Sequence, residues 1–534
     1  MSLELKFVSA MEKVMPLTEC GISPLTHCDT SEAEPFRVQL AYRAVYPLPF
    51  LTSPVRMKVR SDFGESLRVY EVRLLPSDFP AIRTEGDTDC RDCPGLFPEL
   101  LAPCGDEVGL AYNQWRAFYF EVPEPRRGEY SIEVEIEGEF LRGSARLGVT
   151  VSPLSLPISP LIATMWSYYD AYAMAHSCEI YSDAYFDILS DYLKTYVGHG
   201  FNVLFAPLFD VRFDFDRDNC VVGEQTVGVE RGIEGYRFDF TRLEKLIACG
   251  RRAGLEYIEF SHLFSAWGAK CAVRVADRAG NPLFGPDTDG MSEEYLTFLK
   301  QLLRALSSLT ERLGCSEKCF LHLSDEPRAC DADRYAEIVR RLQPELSAFR
   351  RMEALSDLVY TERGLVDYPV VISNKISPFL ERKTQRLFAY YCWENATGCS
   401  NRAFGHSLAR VRAIGVQLYR GDCAGFLHWG YNAWFRGLTR RYLDAFSDTS
   451  AGGVFPSGDA WVVYPGGAVS IRLKALHEAL IDERFLRAAE KKLGRAAVVA
   501  KIDELFGKEI RFDNSSSDNA VYDRIRRWAK EQLK

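Results

Sequence analysis

No stretch of roughly 18 or more consecutive apolar residues occurs in the chain, so no segment reads as a membrane-spanning helix. The opening MSLELKFVSAMEKVMP carries acidic residues and lacks the apolar run of a secretory leader. Basic blocks are missing as well. Lys plus Arg number 65 against 74 Asp plus Glu, a net charge of −9, and an acidic balance argues against nucleic acid as partner. There is no low-complexity segment and no repeat with a period of about 20 to 50 residues. The 15 cysteines are odd in number and scattered, which is not a disulfide framework. Cys90 and Cys93 form one CxxC with Cys104 nearby, but no fourth ligand has zinc-site spacing, so they read as thiols. These absences leave a globular protein of the reducing cytoplasm, with no membrane partner, no metal and no cofactor motif.

What is present divides the chain in two. Residues 1–155 carry short alternating segments bounded by Pro, Gly or Asp, among them RVQLAYRAV, VRMKVR, FYFEVP and YSIEVEIEG. That is the pattern of an antiparallel β-sandwich. The Pro, Gly and Cys-rich stretch 78–109 reads as a long loop, and VSPLSLPISP as a stiff linker. From there short apolar runs alternate with amphipathic stretches. Strand candidates are 161–166, 202–208, 257–263, 319–324, 352–356, 369–373, 386–393 and 423–430, with helices at 182–197, 241–253, 292–313, 331–342 and 408–419 among them. Eight strands with intervening helices predict a (β/α)8 TIM barrel over 156–470. Residues 209–240 and 264–291 are then long loops at strand C-terminal ends, where a barrel builds its site. Residues 471–534 are helical, and the cationic ending RIRRWAKEQLK reads as a solvated helix face.

The sharpest local signal is LHLSDEP, residues 321–327. Asp325 and Glu326 sit where the pleat ends and the chain turns, so both can face a pocket. Pro327 favours an extended Glu326. Two adjacent acids repel, and one pKa should rise, which suits a general acid. A helix N-terminus explains the same residues equally well. The other strand ends tip the balance. SHLFSAWGAK, YYCWENATGCSNR and GFLHWGYNAW bring flat faces from Trp267, Tyr391, Trp393, Trp429, Tyr431 and Trp434, and polar groups from His262, Asn401 and Asn432. Flat apolar faces with a few fixed polar groups describe a sugar site. His322 belongs one layer below the acids, hydrogen-bonded within the barrel.

HLSDEP, EALSD, YYCWE…SNR, GFLHWGYNAW, FPSGDAWVVYP and SIRLKALHEAL occur in this order, and the set resembles glycoside hydrolase family 123 over about residues 160–490. The resemblance implies a retaining exo-β-N-acetylgalactosaminidase in which the substrate's own 2-acetamido oxygen is the nucleophile, an exception to the protein-nucleophile rule. By motif match Glu326 is the general acid/base, and Asp325 holds the acetamido N–H. A tyrosine donates to the acetamido oxygen; Tyr391 is preferred over Tyr390. Trp393, Trp429 and Trp434 wall the sugar. Asp459 binds sugar hydroxyls or serves as a turn residue, and Arg472 either meets substrate or anchors the terminal helix through an ion pair. Two other readings stand beside this one. A glycosidase of other specificity would use a second protein carboxylate, Asp357 or Glu394 ahead of the mid-strand Glu259. A non-catalytic protein would bind an oligosaccharide or glycoconjugate without turning it over.

Overall fold

The segment WRAFYFEV is apolar on both sides of its pleat, and the structure shows why. In the computed structural model, Trp115, Ala117 and Tyr119 face the core shared with the rest of the chain, while Phe118, Phe120 and Val122 face a core inside the N-terminal unit. A strand buried on both faces reads as a continuous apolar run. The structure describes all residues except 1, 18–22, 46–54, 83–88, 140, 210–224, 234, 266 and 395–396.

The N-terminal unit is two sheets packed face to face. One has six strands in the order Ser2–Ser9, Phe36–Val45, Trp115–Val122, Arg68–Ser77, Gly95–Pro103, Val469–Ser470. The other has five, in the order His27–Ser31, Arg142–Ser152, Gly128–Glu137, Val55–Ser61, Glu107–Val108. Pairing is antiparallel apart from His27–Ser31, which runs parallel to its neighbour. The expected loop at 78–109 contains the strand Gly95–Pro103, hidden in the sequence by its two prolines. Its register shifts opposite Arg73 and Leu74, so that Glu99 is left between the paired Pro98 and Leu100. Such a bulge re-aims a side chain, and here it delivers Glu99 to Arg472.

The second unit is a nearly closed parallel barrel. Its strands are β1 (Ile162–Met165), β2 (Val203–Ala206), β3 (Tyr257–Phe260), β4 (Cys319–Leu321), β5 (Arg350–Leu355), β6 (Tyr368–Ile372), β7 (Phe388–Tyr390) and β8 (Gly425–His428), neighbouring in chain order with β8 against β1. Between β1 and β2 the seam is closed by Asn202. Its N–H donates to the Ala163 carbonyl at 3.1 Å, and its Oδ1 accepts from the Ala163 N–H at 2.9 Å. Ile162, Val203, Phe320, Met352, Val370, Phe388 and Leu427 fill the interior. Helices start at serine caps: Ser182, Ser292, Ser407 and Ser470 each accept from a backbone N–H three residues on. Each cap is worth about 1 kcal/mol. The long loops after β2 and β3 hold short hairpins, Gly228–Gly232 with Gly235–Asp239 and Phe264–Ser265 with Cys271–Ala272 among them; residues 210–224 of the first lie outside the described residues.

Helix Ile471–Leu493 packs against Leu408–Arg420 in the place of the barrel's eighth helix, followed by Arg495–Phe506 and Asn519–Leu533. The cationic C-terminal face is not simply solvated. Arg526 reaches Asp482 and Glu478, and Lys530 reaches Glu34, all in partly or fully buried ion pairs. Such pairs also join the two units. Arg472 and Glu99, both fully buried, form a two-pronged pair with Nε–Oε2 at 2.9 Å and Nη2–Oε1 at 2.5 Å. The same guanidinium donates to the carbonyls of Gly458 and Trp461. Arg472 is thus an anchor, as its ion-pair reading anticipated. Glu99→Ala leaves that guanidinium buried and unpaired, so a loss of about 3–5 kcal/mol is expected. Denaturant unfolding checks it; an unchanged midpoint would show that the pair adds nothing net.

Candidate active site

The C-terminal ends of the barrel strands surround a cavity of about 560 Å³. Asp325 and Glu326 line it, with Trp166 and Tyr168 after β1, Trp267 after β3, Tyr390 at the end of β7, and Trp393 and Glu394 just beyond. Trp429, Leu438, Val454 and Phe455 complete the wall from the long segment after β8. Aromatic and aliphatic faces therefore dominate, with two adjacent acids and a third carboxylate in one wall.

Strand parity decides which of the expected residues arrive. Along β7 and beyond, Phe388, Tyr390 and Cys392 point into the barrel, so Tyr391 points outward. It is fully buried against Phe426 and His428, and burial pushes its hydroxyl up to about 12. Tyr390 is the tyrosine at the cavity, and its hydroxyl donates to Glu326 Oε1. The same parity puts Leu427 and Trp429 inward on β8. Tyr431, Asn432 and Trp434 leave the barrel mouth for the outer core. Tyr431 donates to the Tyr192 carbonyl at 3.3 Å, and Trp434 Nε1 to the Val463 carbonyl at 2.9 Å. Asn432 accepts from the Tyr168 N–H at 2.8 Å and donates to its carbonyl at 2.9 Å, so it holds a lining residue without lining the cavity. Asn401 likewise bonds the Cys392 carbonyl at 3.0 Å.

Asp459 is not at the cavity surface. It is buried, and its Oδ2 accepts from Trp429 Nε1 at 3.1 Å, which fixes that indole's plane. Burial raises it to about 6, against the pull of Arg402. His262 lies under the acids, with Nε2 3.8 Å from Asp325 Oδ1. Asp357 lies outside the lining, where it accepts the Ala329 N–H at 2.8 Å. Glu394, the other candidate second carboxylate, is in the wall. Glu259 is inside the barrel, as its mid-strand position requires, and so is His322 beneath the acid pair. Cys90 and Cys93 are exposed thiols, and Cys93 Sγ accepts from Arg91 Nε at 3.0 Å.

The backbone at the acid pair departs from expectation. Glu326 has φ of +39°, not the extended conformation that Pro327 favours. A residue held there costs on the order of 1–3 kcal/mol and persists only where its surroundings over-determine it. The reversal occurs directly at the strand end, and it turns both neighbouring acids into one cavity.

Both carboxyls titrate high. Burial, then the charges of Glu326 and Glu353, push Asp325 well above the usual carboxylate range, against His322 and a hydrogen bond with Trp267. Burial also raises Glu326; Tyr390 and Lys375 work against this, and Glu394 adds to it. Burial thus pushes both neighbouring carboxyls in the same direction. Among the described residues, one cluster brings metal-ligating donor types together: a ring nitrogen each of His262 and His322 and a Glu353 oxygen lie within 4.8 Å of one another. His322 Nε2 is 2.7 Å from Glu259 Oε1 and Nδ1 is 3.5 Å from Glu353 Oε1. Nε2 is thus hydrogen-bonded to one carboxylate, and Nδ1 faces a second at ion-pair distance without a hydrogen bond.

Trp166, Tyr168 and the segment 436–439 with Val454 and Phe455 line the cavity without having been singled out in the sequence. Trp166 ends the first strand, so the strand-end rule alone locates it. The other signal is length: no helix intervenes between His428 and Ile471 other than one short turn.

The family model described as glycoside hydrolase 123, catalytic domain, matches residues 166–489. Among solved structures, the chain is similar to a family 123 glycoside hydrolase from Clostridium perfringens, described in work on glycolipid glycan hydrolysis. The TM-score is 0.78 at 15% identity, over 100% of this chain and 99% of that one. At such identity the likeness shows the fold. A β-glucuronidase from Parabacteroides merdae aligns over 91% of this chain and 51% of its own, at 8% identity and a TM-score of 0.31, too low to carry an argument. No curated protein matches the chain.

Proposed function

Since the chain belongs to glycoside hydrolase family 123, we propose that this glycosidase removes terminal β-linked 2-acetamido sugars, N-acetylgalactosamine first among them, with retention and through an oxazolinium formed by the substrate itself. The observation that carries the reading is the Asp325–Glu326 pair, turned into one aromatic-walled cavity with Tyr390 bonded to the second acid.

In this scheme Glu326, held protonated by burial, gives its proton to the glycosidic oxygen as the bond to the anomeric carbon breaks. The acetamido carbonyl oxygen closes on that carbon from the other face. Asp325, once its proton has left to solvent, accepts a hydrogen bond from the acetamido N–H and faces the positive charge that develops. An opposite charge favours the ionised form, so the oxazolinium then stabilises the Asp325 carboxylate. Tyr390 turns its hydroxyl from Glu326 to the acetamido oxygen, which orients the nucleophile. Glu326, now a carboxylate, then takes a proton from the water that opens the ring. Trp267, Trp393 and Trp429 offer the faces against which a pyranose packs. The cytoplasm is the proposed compartment, supported by the scattered thiols, and oligosaccharides or glycoconjugates are the substrates.

A panel of nitrophenyl β-glycosides tests the proposal, with fastest release expected from the 2-acetamido-galactoside. Folded protein that releases nothing from any β-2-acetamido sugar would sink it. Glu394 supports a second reading, because it shares the cavity and raises Glu326. If Glu394 were the nucleophile, Glu394→Ala would be rescued by azide and would yield an inverted glycosyl azide. Under the first reading no such product forms.

A further inference from the structure

The end of β4 hangs from its neighbour β5. Glu353 is fully buried, and its Oε2 accepts three hydrogen bonds: from the Leu323 N–H at 3.1 Å, the Ser324 N–H at 2.8 Å and the Tyr335 hydroxyl at 2.9 Å. Leu323 and Ser324 immediately precede Asp325 and Glu326. One carboxylate oxygen therefore fixes the backbone from which both acids project, and it does so beside the left-handed Glu326. The other oxygen faces His322 Nδ1 at 3.5 Å, while His322 Nε2 meets Glu259 Oε1 at 2.7 Å. Glu259 is itself held by Thr164 Oγ1 at 2.5 Å and Trp166 Nε1 at 2.6 Å. Nε2 is hydrogen-bonded to one carboxylate and Nδ1 lies at ion-pair distance from another, and two such charges favour the charged ring. Burial raises the Glu353 carboxyl, and the bond and charge of His322, the Ser324 N–H and the Tyr335 hydroxyl work against this; carboxyl and ring lie directly below Asp325.

We propose that Glu353 and His322 are positioning residues for the acid pair: Glu353 holds the Asp325–Glu326 turn in place from β5, and the His322 imidazolium offsets the carboxylate charge beneath Asp325. The proposal rests on the reading of Asp325 and Glu326 as the reacting pair. Neither residue lines the cavity, so neither touches a bound sugar. Asp325 is faced by Glu326 from its own turn, His322 from just after β4, Glu353 from β5, His262 from just after β3 and Trp267 from the loop beyond it. Glu326 is faced by Tyr390, Glu394 and Lys375. Burial works against a charged His322, but the bonds and charges of Glu259 and Glu353 outweigh it and hold the ring up at about 9. Burial and the charge of His322 keep His262 well below its ordinary value, so it stays neutral.

The sign of each substitution follows. Glu353→Gln removes a negative charge below Asp325 but keeps an oxygen that accepts the two N–H groups. Asp325 then ionises more easily, and the acid limb of kcat/KM moves to lower pH. His322→Asn removes the positive charge, and the limb moves to higher pH. Shifts of about half to one unit in opposite directions are expected, in a range where one unit is a large change of environment. KM should stay within about threefold while kcat falls about 10- to 100-fold, the scale of a slightly misplaced reacting group. Tyr335→Phe removes one hydrogen bond to Glu353 and no charge, so it lowers kcat without moving the limb.

The full-length protein and these three variants are compared by pH–rate profile, and the histidine ring nitrogens of the unaltered protein are followed by 15N NMR. An imidazolium at His322 that persists above neutral pH is expected, and it needs no substrate to be seen. A neutral His322 at pH 7, zinc bound stoichiometrically to it, or limbs that stay put or move together in the two charge variants would overturn the proposal. An enzyme silent on every sugar, with the His322 imidazolium present, would instead indict the assigned reaction.

Discussion

Glu326→Gln is expected to lower turnover of a 2-acetamido glycoside with an unactivated leaving group by about 10²–10⁴-fold, the usual contribution of a positioned acid. The amide is isosteric and can still accept from Tyr390, so the fold and the left-handed backbone at 326 carry over. What it cannot do is hand a proton to the departing oxygen. The loss should therefore depend on the leaving group. A dinitrophenyl glycoside departs without protonation and should lose much less in its first step than a disaccharide does. The pH profile adds a second signature. Burial raises the Glu326 carboxyl, an acid works only while protonated, and activity in the unaltered enzyme falls as pH rises through that raised pKa. Glu326→Gln removes this basic limb. Equal losses for good and poor leaving groups, with the basic limb intact, would assign the proton to another residue.

Much of the architecture was legible because it rests on local pattern. All eight barrel strands lie where short apolar runs alternate with amphipathic stretches, and SDEP lands at a strand end facing the cavity. What escaped depends on relations between distant segments. In FAYYCW every residue is apolar or aromatic because barrel strands are buried on both faces. Nothing in the run marks parity, so Tyr390 and Tyr391 could not be told apart until Phe388 was seen inside. GYNAW failed for a related reason: once β8 ends, its aromatics are recruited to the outer core, where Tyr431 and Trp434 find carbonyl partners on other segments. Glu99 offered no signal at all, since its partner lies 373 positions away and only a bulge aims it there. The network below the acids is hidden in the same manner, with Glu259 on β3, Glu353 on β5 and His322 just past the end of β4.

Asp325→Asn separates the substrate-assisted scheme from its rivals. The amide keeps the size and one oxygen of the carboxyl, but it cannot become negative opposite an oxazolinium. Removing a group aimed at developing charge in a dry site costs about 10²–10³-fold in kcat, and that loss is expected for the 2-acetamido substrate. Because the missing interaction exists only near the transition state, KM should move little. A thiazoline analogue of N-acetylgalactosamine resembles the intermediate's ring, so its affinity should fall by nearly the same factor as kcat/KM across Asp325 variants. The matching galactoside, with a hydroxyl in place of the acetamido group, gives the contrast. It has no internal nucleophile, so any slow turnover it shows should be nearly indifferent to the substitution. The resting state sharpens the point. Asp325 is held well above the usual carboxylate range by burial and by Glu326 and Glu353, so it must first give up its proton to solvent, and the positive ring then stabilises the carboxylate. Asparagine offers no such response. Equal losses for the acetamido sugar and the galactoside would mean that Asp325 shapes the cavity for any sugar, and the search for the nucleophile would return to Glu394.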